Sequence, residues 1–298
     1  MLVFRLLQGV GACVGPTLAR TITRDLFGAN RAARALSLIA MMMALAPAVA
    51  PTLGGLMLLF LPWSSIFIFL AAYAGALVLL INRLLPESLP QPQSLHPRAI
   101  LHNYLELLAN PLFLSVTTTG GLVYAGLLAY ISSSSFVYID MLGVPVQYFG
   151  LVFLTAVAGY IGGSAISARL AHRLGSQQLM LGGALLALFA SALTLSAAML
   201  WPPNVPALML PMILYSTGLG LVLPHAMAIA LRPFPHIAGT ASALLGFIQM
   251  SLSAGASALA GAILKDTPLP MLWLMLMITL AAMVLALHSR HLDRRTTP

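Results

Sequence analysis

Apolar stretches long enough to cross a bilayer recur nine times along this 298-residue chain. A membrane-spanning helix needs about 20 mostly apolar residues. We predict such helices at approximately 1–20, 35–61, 66–85, 112–138, 148–170, 179–200, 207–231, 238–264 and 269–287. Only 7% of the residues are charged, against about 25% in soluble domains, and so few charges cannot cover a water-facing surface. The sequence therefore predicts an all-α polytopic membrane protein whose main partner is the lipid bilayer.

The basic residues fall almost entirely in alternate connectors between the predicted helices. One set of connectors holds twelve arginines, and the other holds only Lys265. Lys and Arg accumulate on the cytoplasmic side of a membrane, so this asymmetry predicts a cytoplasmic C-terminus. The net charge of +8 is spread between apolar runs rather than gathered in a patch, which excludes nucleic acid as a partner.

The connector at 86–111 contains five prolines and divides three predicted helices from six. We predict a partial N-terminal bundle at 1–85, a cytoplasmic linker at 86–111, a C-terminal six-helix bundle at 112–287 and a cytoplasmic tail at 288–298. The second part of the linker, Arg98 to Leu107, is expected to form a short surface helix.

The two parts of the chain share a weak internal repeat. The spacing Gly9-x-Gly11 recurs in the second part as Gly218-x-Gly220, in each case followed by a proline. Parallel repeats of this kind are typical of transporters built from two related six-helix halves. The sequence then shows only the last three helices of the first half, and we expect about three further N-terminal helices in the complete protein.

Four stretches resemble motifs of the major facilitator superfamily of transporters: Arg5-x-x-Gln8-Gly9-x-Gly11, Ala46 to Gly55, Leu85 to Ser88, and Gly163 to Gly175. In that order they are similar to the fourth-helix signature, the antiporter motif of the fifth helix, the end of the sixth helix, and the loop motif between the eighth and ninth helices. Three more stretches resemble the Bcr/CflA branch, named for bicyclomycin resistance: Arg31 to Ser37, Ala129 to Tyr138, and Gly239 to Met250.

This resemblance implies a major-facilitator-type bundle and a function. The expected protein is a multidrug efflux transporter of the bacterial inner membrane, which exports small lipophilic drugs in exchange for protons by alternating access. The resemblance implies a monomer without enzymatic activity, cofactor or metal. A transporter of the same fold for a nutrient or metabolite stays open, because fold does not fix substrate, and so does a non-functional truncated remnant.

Arg5 and Gln8 are the candidate proton-coupling residues. An arginine within a span costs roughly 2.5–3.5 kcal/mol on insertion scales, so it normally faces a cavity or a partner. Gln8 follows about one turn later on the same face, and the resemblance implies that this polar stripe faces the transport cavity. The alternative is that the side chain of Arg5 extends to the outer membrane interface.

A second group of residues is expected to form a hinge. The resemblance to the antiporter motif implies a kinked, tightly packed helix at Pro47, Pro51, Gly54 and Gly55, which seals the two halves against leak. Ordinary kinked packing is the alternative, since proline frees backbone carbonyl groups that neighbouring helices must satisfy.

Aromatic and polar side chains of two later helices suit a cavity for lipophilic drugs. The candidate substrate residues are Tyr124, Tyr130, Ser132, Phe136 and Gln249. For Gln249, a hydrogen bond between helices is an equal alternative. Tyr138 is expected in the aromatic belt of the membrane interface, and His225 at a solvated helix end.

The loop motif gives a further set of candidates, which are Gly163, Arg169, Arg173 and Gly175. We expect them to shape a cytoplasmic loop, although the two arginines also serve as orientation charges.

The acidic residues bear on both coupling and catalysis. All six lie at the ends of predicted helices or in connectors: Asp25, Glu87, Glu106, Asp140, Asp266 and Asp293. A proton antiporter needs a group whose pKa changes with access, and no predicted span of this chain contains a carboxylate. An integral membrane enzyme would need paired carboxylates or a His with a carboxylate near the interface, which the sequence also lacks outside the Pro-rich linker.

Overall fold

The structure is a computed structural model that describes residues 2–85, 96–201, 204–264 and 267–296. Some side chains within these ranges, including those of Arg5 and residues 44–56, lie outside the description. The described residues form ten α-helices: α1 (Leu2–Ala12), α2 (Val14–Phe60), α3 (Ser64–Leu84), α4 (Pro97–Ala109), α5 (Pro111–Ser135), α6 (Val146–Leu174), α7 (Ser176–Leu200), α8 (Val205–Leu231), α9 (Ala238–Ile263) and α10 (Leu269–Thr296). A π-helical segment at Phe136–Met141 extends α5, and a short 3₁₀ turn at Pro235–Ile237 precedes α9.

The six helices α5 to α10 form one bundle around a continuous apolar core. The most extensive helix contacts are those of α7 with α8, α6 with α8, α5 with α9, and α10 with α5. Phe113, Met180, Leu208, Tyr215 and Met275 are among the core side chains, each fully or almost fully buried. Seven of the predicted helices, α3 and α5 to α10, are confirmed within a few residues, apart from the extension of α10 described below.

Glycines allow the helices of this bundle to approach closely. A Cβ added at Gly163 of α6 would lie 2.1 Å from the backbone oxygen of Thr217 in α8. One turn earlier on α6, a Cβ at Gly159 would lie 2.4 Å from the backbone oxygen of Ile213. Small residues at helix interfaces are a usual basis for association in membranes, where lipid is as apolar as the side chains.

The first two predicted spans are wrong as separate helices. Instead of helices at 1–20 and 35–61, the chain forms the 47-residue α2, which follows α1 after a break at Cys13. The intervening residues 21–34 contain no proline and are rich in Ala and Arg, which favour helix. A helix of this length extends about 70 Å, whereas the hydrocarbon core of a bilayer is about 30 Å thick, so only part of α2 can lie within it.

Charged side chains form pairs at the end of the bundle where α8 and α10 both end. There Arg232 forms an ion pair with Asp293. Glu106 of α4 lies 3.4 Å from His236 in the turn before α9. The helix α4 confirms the surface helix expected in the linker, whereas α10 continues to Thr296, so the predicted tail from residue 288 is helical through that residue.

Six helical segments of the described chain are long and apolar enough to cross a membrane. They lie at Ser64–Leu84, Pro111–Met141, Ser176–Leu200, Val205–Leu231, Pro235–Ile263 and Leu269–Asp293. An all-α bundle with membrane-spanning helices is the architecture that the sequence predicts.

Candidate functional site

The candidate site lies where α2 crosses the six-helix bundle, against α6, α8 and α9. We call this contact the α2 seam and define it by four α2 residues: Thr17, Arg20, Arg24 and Ser37. Each of them meets a polar atom or a glycine of the bundle, as described below. At the first of these contacts, the Ser242 hydroxyl of α9 donates a hydrogen bond to the backbone oxygen of Thr17 at 3.1 Å.

Arg20 places a guanidinium group inside the seam. Its Nη1 lies 3.2 Å from where a Cβ would stand at Gly246 of α9. The same group interacts electrostatically with the phenols of Tyr124 in α5 and Tyr160 in α6. Tyr124, predicted as a substrate residue, therefore lies within electrostatic range of a partly buried cation.

Sequence reasoning missed Arg20 because it ended the first span at residue 20 and counted Arg20 among the orientation charges. A helical signal was available. Thr17, Arg20 and Arg24 are spaced i, i+3 and i+7, which places all three on one helix face.

Arg24 joins the seam to the end of α8. Its Nε donates to the backbone oxygen of Leu231 at 3.3 Å. A cation is favourable there, because the last carbonyl groups of a helix carry partial negative charge. The Asp25 carboxylate lies 3.8 Å from Arg24. Burial raises the pKa of the Asp25 carboxyl, and the Arg24 guanidinium offsets part of that rise.

The fourth contact is a chain of buried hydrogen bonds across three helices. The hydroxyls of Ser37 in α2 and Ser167 in α6 are 2.6 Å apart. Ser167 Oγ is 2.9 Å from Nε2 of His225 in α8. All three side chains are fully buried. The expectation of a solvated His225 is therefore wrong, because α2 and α6 cover the last turns of α8.

Gln249 lines a small cavity between α5, α8 and α9, together with Thr117 and Gly121. The cavity has a volume of about 10 Å³. Gln249 Oε1 and Thr117 Oγ1 are buried, and neither has a hydrogen-bond partner among the described residues. A space of this size holds about one water molecule, which these two oxygens are placed to bind.

The other predicted substrate residues are divided between the interior and the surface. Tyr130 is buried, and its hydroxyl forms a hydrogen bond with that of Tyr138 at 2.5 Å. Tyr138 is fully buried, so its predicted place in the interfacial aromatic belt is wrong. Ser132 and Phe136 are exposed on the outside of the bundle. The structure therefore does not group them with Tyr124, Tyr130 and Gln249.

The predicted coupling and hinge residues fall largely outside the described side chains. Arg5 lies on α1, which contacts chiefly α2, but its side chain is outside the description. Gln8 is exposed on α1. The backbone of Pro47, Pro51, Gly54 and Gly55 is helical within α2, and their packing also lies outside the described part of the chain.

Most residues of the loop motif lie in α6. Gly163 lies inside this helix against the backbone of α8, within the helix predicted at 148–170. Gly175 forms the turn between α6 and α7 with a φ of +77°, a conformation that favours glycine. Arg169 and Arg173 are exposed near the end of α6. Arg169 and Arg34 of α2 line an open groove of about 230 Å³ beside the seam.

The described residues contain no cluster of His, Cys, Asp or Glu that could hold a metal ion. The side chains described at the seam offer hydroxyl, phenol, imidazole, guanidinium and carboxylate groups.

Comparison with known proteins identifies the family. A sequence profile described as "Major Facilitator Superfamily" matches residues 1–258. The chain is 34% identical over 272 residues to a Bacillus subtilis protein named "Uncharacterized MFS-type transporter YdgK", covering 90% of this chain and 67% of the relative. It is 29% identical to the "Bicyclomycin resistance protein homolog" of Haemophilus influenzae, covering 91% and 68%. It is 30% identical to the "Multidrug resistance protein D" of Escherichia coli, covering 88% and 65%.

The chain thus spans about two thirds of the length of these curated relatives. The profile covers most of the chain, including the α2 seam and all of α5 to α8. Its motifs, its membrane-spanning helices and its relatives agree, and the chain belongs to the major facilitator superfamily of membrane transporters, among relatives of the bicyclomycin resistance type.

Proposed function

We propose that the protein is a multidrug exporter of the bacterial inner membrane, with its C-terminus in the cytoplasm. It exchanges small lipophilic drugs for protons by alternating access and works as a monomer. The names of its relatives, which include bicyclomycin and multidrug resistance proteins, support drug export. The excess of arginine at one end of the bundle supports the orientation.

The observation that carries the proposal is the combination of a polar seam with a closed interior. Binding sites for drug-sized ligands measure about 300–1,000 Å³, whereas the cavity beside Gln249 measures about 10 Å³. A drug can therefore reach Gln249 only after helices move apart. The α2 seam is suited to such a movement, because its hydrogen-bonding groups can exchange their partners for water at small net cost.

Within this mechanism, Gln249 and Thr117 offer hydrogen bonds to a substrate, and Tyr124 and Tyr130 provide aromatic surface. Arg5 and Gln8 remain the proposed coupling residues, and Pro47, Pro51, Gly54 and Gly55 the proposed hinge.

Accumulation of a fluorescent lipophilic cation tests the proposal. The gene is expressed in cells that lack their own multidrug exporters, and ethidium is the probe. Energised cells that express the gene are expected to accumulate less ethidium than cells with an empty vector, and a protonophore should abolish the difference. Equal accumulation in both would contradict drug export and favour a transporter for another substrate or an inactive remnant.

A matched pair of variants tests the site itself. Gln249→Leu removes the amide from the cavity and should reduce efflux strongly at equal expression. Met250→Leu changes the next residue, which is exposed, and should leave efflux unchanged. Equal efflux by the two variants would exclude Gln249 as a substrate residue.

A further inference from the structure

The number of protons available determines which group donates in each hydrogen bond of the buried chain at the seam. A hydroxyl group has a single proton to donate. The Ser37 hydroxyl donates to the backbone oxygen of Ala33 at 2.8 Å, so it accepts from Ser167. Ser167, having donated its proton to Ser37, must accept from His225 Nε2.

This direction assigns the tautomer of the neutral imidazole. His225 carries its proton on Nε2, and Nδ1 has a free lone pair. Nδ1 is buried and has no hydrogen-bond partner among the described residues. Buried polar atoms are usually paired, and each exception calls for an explanation.

We propose that His225 Nδ1 is a proton-binding site whose occupation opens the α2 seam. This inference rests on the proposed proton-coupled export and supplies a proton-binding side chain inside a predicted span, where no predicted span of this chain contains a carboxylate. A proton from water adds to the Nδ1 lone pair, no other bond breaks, and the imidazole becomes a buried cation with two N–H donors. Deprotonation at the other membrane face returns the neutral ring and the closed seam.

The surroundings of His225 make the buried cation unfavourable while the seam is closed. Five helices pack against α8, and α7 and α9 contain no ionisable residue. The sequences of α2, α5 and α6 contain the ionisable residues Arg20, Arg24, Asp25, Arg31, Arg34, Tyr124, Tyr130, Tyr148, Tyr160, Arg169, His172 and Arg173.

Asp25 is the only carboxylate in that set, and it already lies beside Arg24. Arg24 in turn contacts Leu231, six residues or about 9 Å along α8 from His225. The arginines nearest in sequence to Ser37 and Ser167 are Arg34 and Arg169, and both line the groove between α2 and α6. Among the described residues no carboxylate forms an ion pair with His225, so a protonated ring is an unpaired charge among buried side chains, and it gains from water that enters an open seam.

The expected pH dependence follows from linkage. Because the closed seam disfavours the charged ring, the open seam binds the proton more tightly, and acid shifts the population towards the open form. The seam should be closed at pH 8 and open at pH 5. Protonation keeps the donation from Nε2 to Ser167, so we expect the seam to open because water must hydrate the charged ring, which lies where α2, α6 and α8 meet.

Distances between spin labels test the proposal. In a Cys13→Ser background, labels are attached at Leu38→Cys on α2 and Ile166→Cys on α6, both exposed positions, and the protein is placed in nanodiscs. The distance should lengthen between pH 8 and pH 5. A second pair, Ile166→Cys and Leu185→Cys, does not cross the seam and should show no change.

Three variants test whether His225 is the group responsible for the pH-dependent change in distance. His225→Gln keeps a donor for Ser167 but cannot bind the proton, so the pH-dependent lengthening should be lost. His172→Gln changes an exposed histidine of α6 and should keep it. Ser37→Ala leaves His225 in place but breaks its link to α2, so the seam should be open already at pH 8.

The outcomes distinguish this inference from the proposed function. If ethidium efflux is sensitive to a protonophore but the spin-label distance across the seam does not change with pH, the proposed proton site is wrong and the proposed export function stands. A pH-dependent seam that requires His225, in cells without ethidium efflux, would support the proton site and contradict the exporter. A lengthening that persists in His225→Gln would overturn the proton site whatever the transport result.

Discussion

Two apolar helices of this chain, α3 and α5, differ completely in burial. The described residues of α3 include no buried side chain, whereas more than half of the 25 residues of α5 are buried. Yet α3 is the more apolar of the two. Hydropathy therefore indicates which segments can enter a bilayer, and it does not indicate which segments pack against protein.

The difference lies in small and hydroxyl-bearing residues. The buried face of α5 contains Ser115, Thr119, Gly121, Ala125 and Gly126, which allow neighbouring helices to approach closely. The exposed side chains of α3 are large and apolar, such as Phe67, Ile68 and Leu79. In a membrane, such a surface is suited to lipid or to another apolar helix.

The largest expected effect comes from adding one methyl group to a bundle glycine. Gly163→Ala places a Cβ against the backbone oxygen of Thr217 at 2.1 Å, so α6 and α8 must separate. Overpacking of a core costs about 1–3 kcal/mol and occasionally more, and a clash with backbone belongs at the upper end. The detergent-solubilised protein should lose its monodisperse chromatographic peak at a clearly lower temperature.

Two controls sharpen this comparison. Gly75→Ala in α3 and Gly162→Ala in α6 each add a Cβ with no atom within 4 Å. Both should leave the melting temperature unchanged or raise it, because Ala favours helix over Gly by about 0.5–1 kcal/mol. A loss of stability in Gly75→Ala equal to that in Gly163→Ala would contradict the contrast between the two regions.

A smaller effect is expected from a single hydrogen bond. The Tyr215 hydroxyl of α8 is fully buried and donates to the backbone oxygen of Val123 in α5 at 2.8 Å. Tyr215→Phe should cost about 0.5–1.5 kcal/mol. The matched change in α3 is Tyr73→Phe, at an exposed ring stacked on Phe69, and it should have no measurable effect in the same thermal assay. Equal losses in the two variants would show that the cost does not come from the buried hydrogen bond of Tyr215.

The sequence predicted most helices correctly because their apolar runs are long and end at prolines or polar residues. It failed at α1 and α2, where residues 21–34 are polar enough to suggest a connector but contain no proline to end a helix. Helix propensity favoured a continuous helix at residues 21–34, whereas their charges indicated a connector. The structure has a continuous helix there.

The candidate site was predicted less well, since burial depends on partners that a single sequence does not reveal. Gln249 was identified because an amide in an apolar segment is conspicuous. His225 was predicted at a solvated helix end, but α2 and α6 cover it. Tyr138 was predicted at the membrane interface, but it lies in a π-helical segment and its hydroxyl bonds to that of Tyr130. Arg20 lay at the predicted end of the first span, where its charge was explained as one of the connector arginines that set the membrane orientation.

The central claim is that transport requires the α2 seam to open. In a Cys13→Ser background, Leu38→Cys and Ala165→Cys place two thiols on the groove between α2 and α6, where a short bifunctional thiol reagent can join them. Ethidium efflux should stop in proportion to the cross-linked fraction and should persist in both single-cysteine variants treated with the same reagent. Undiminished efflux from fully cross-linked protein would contradict the account.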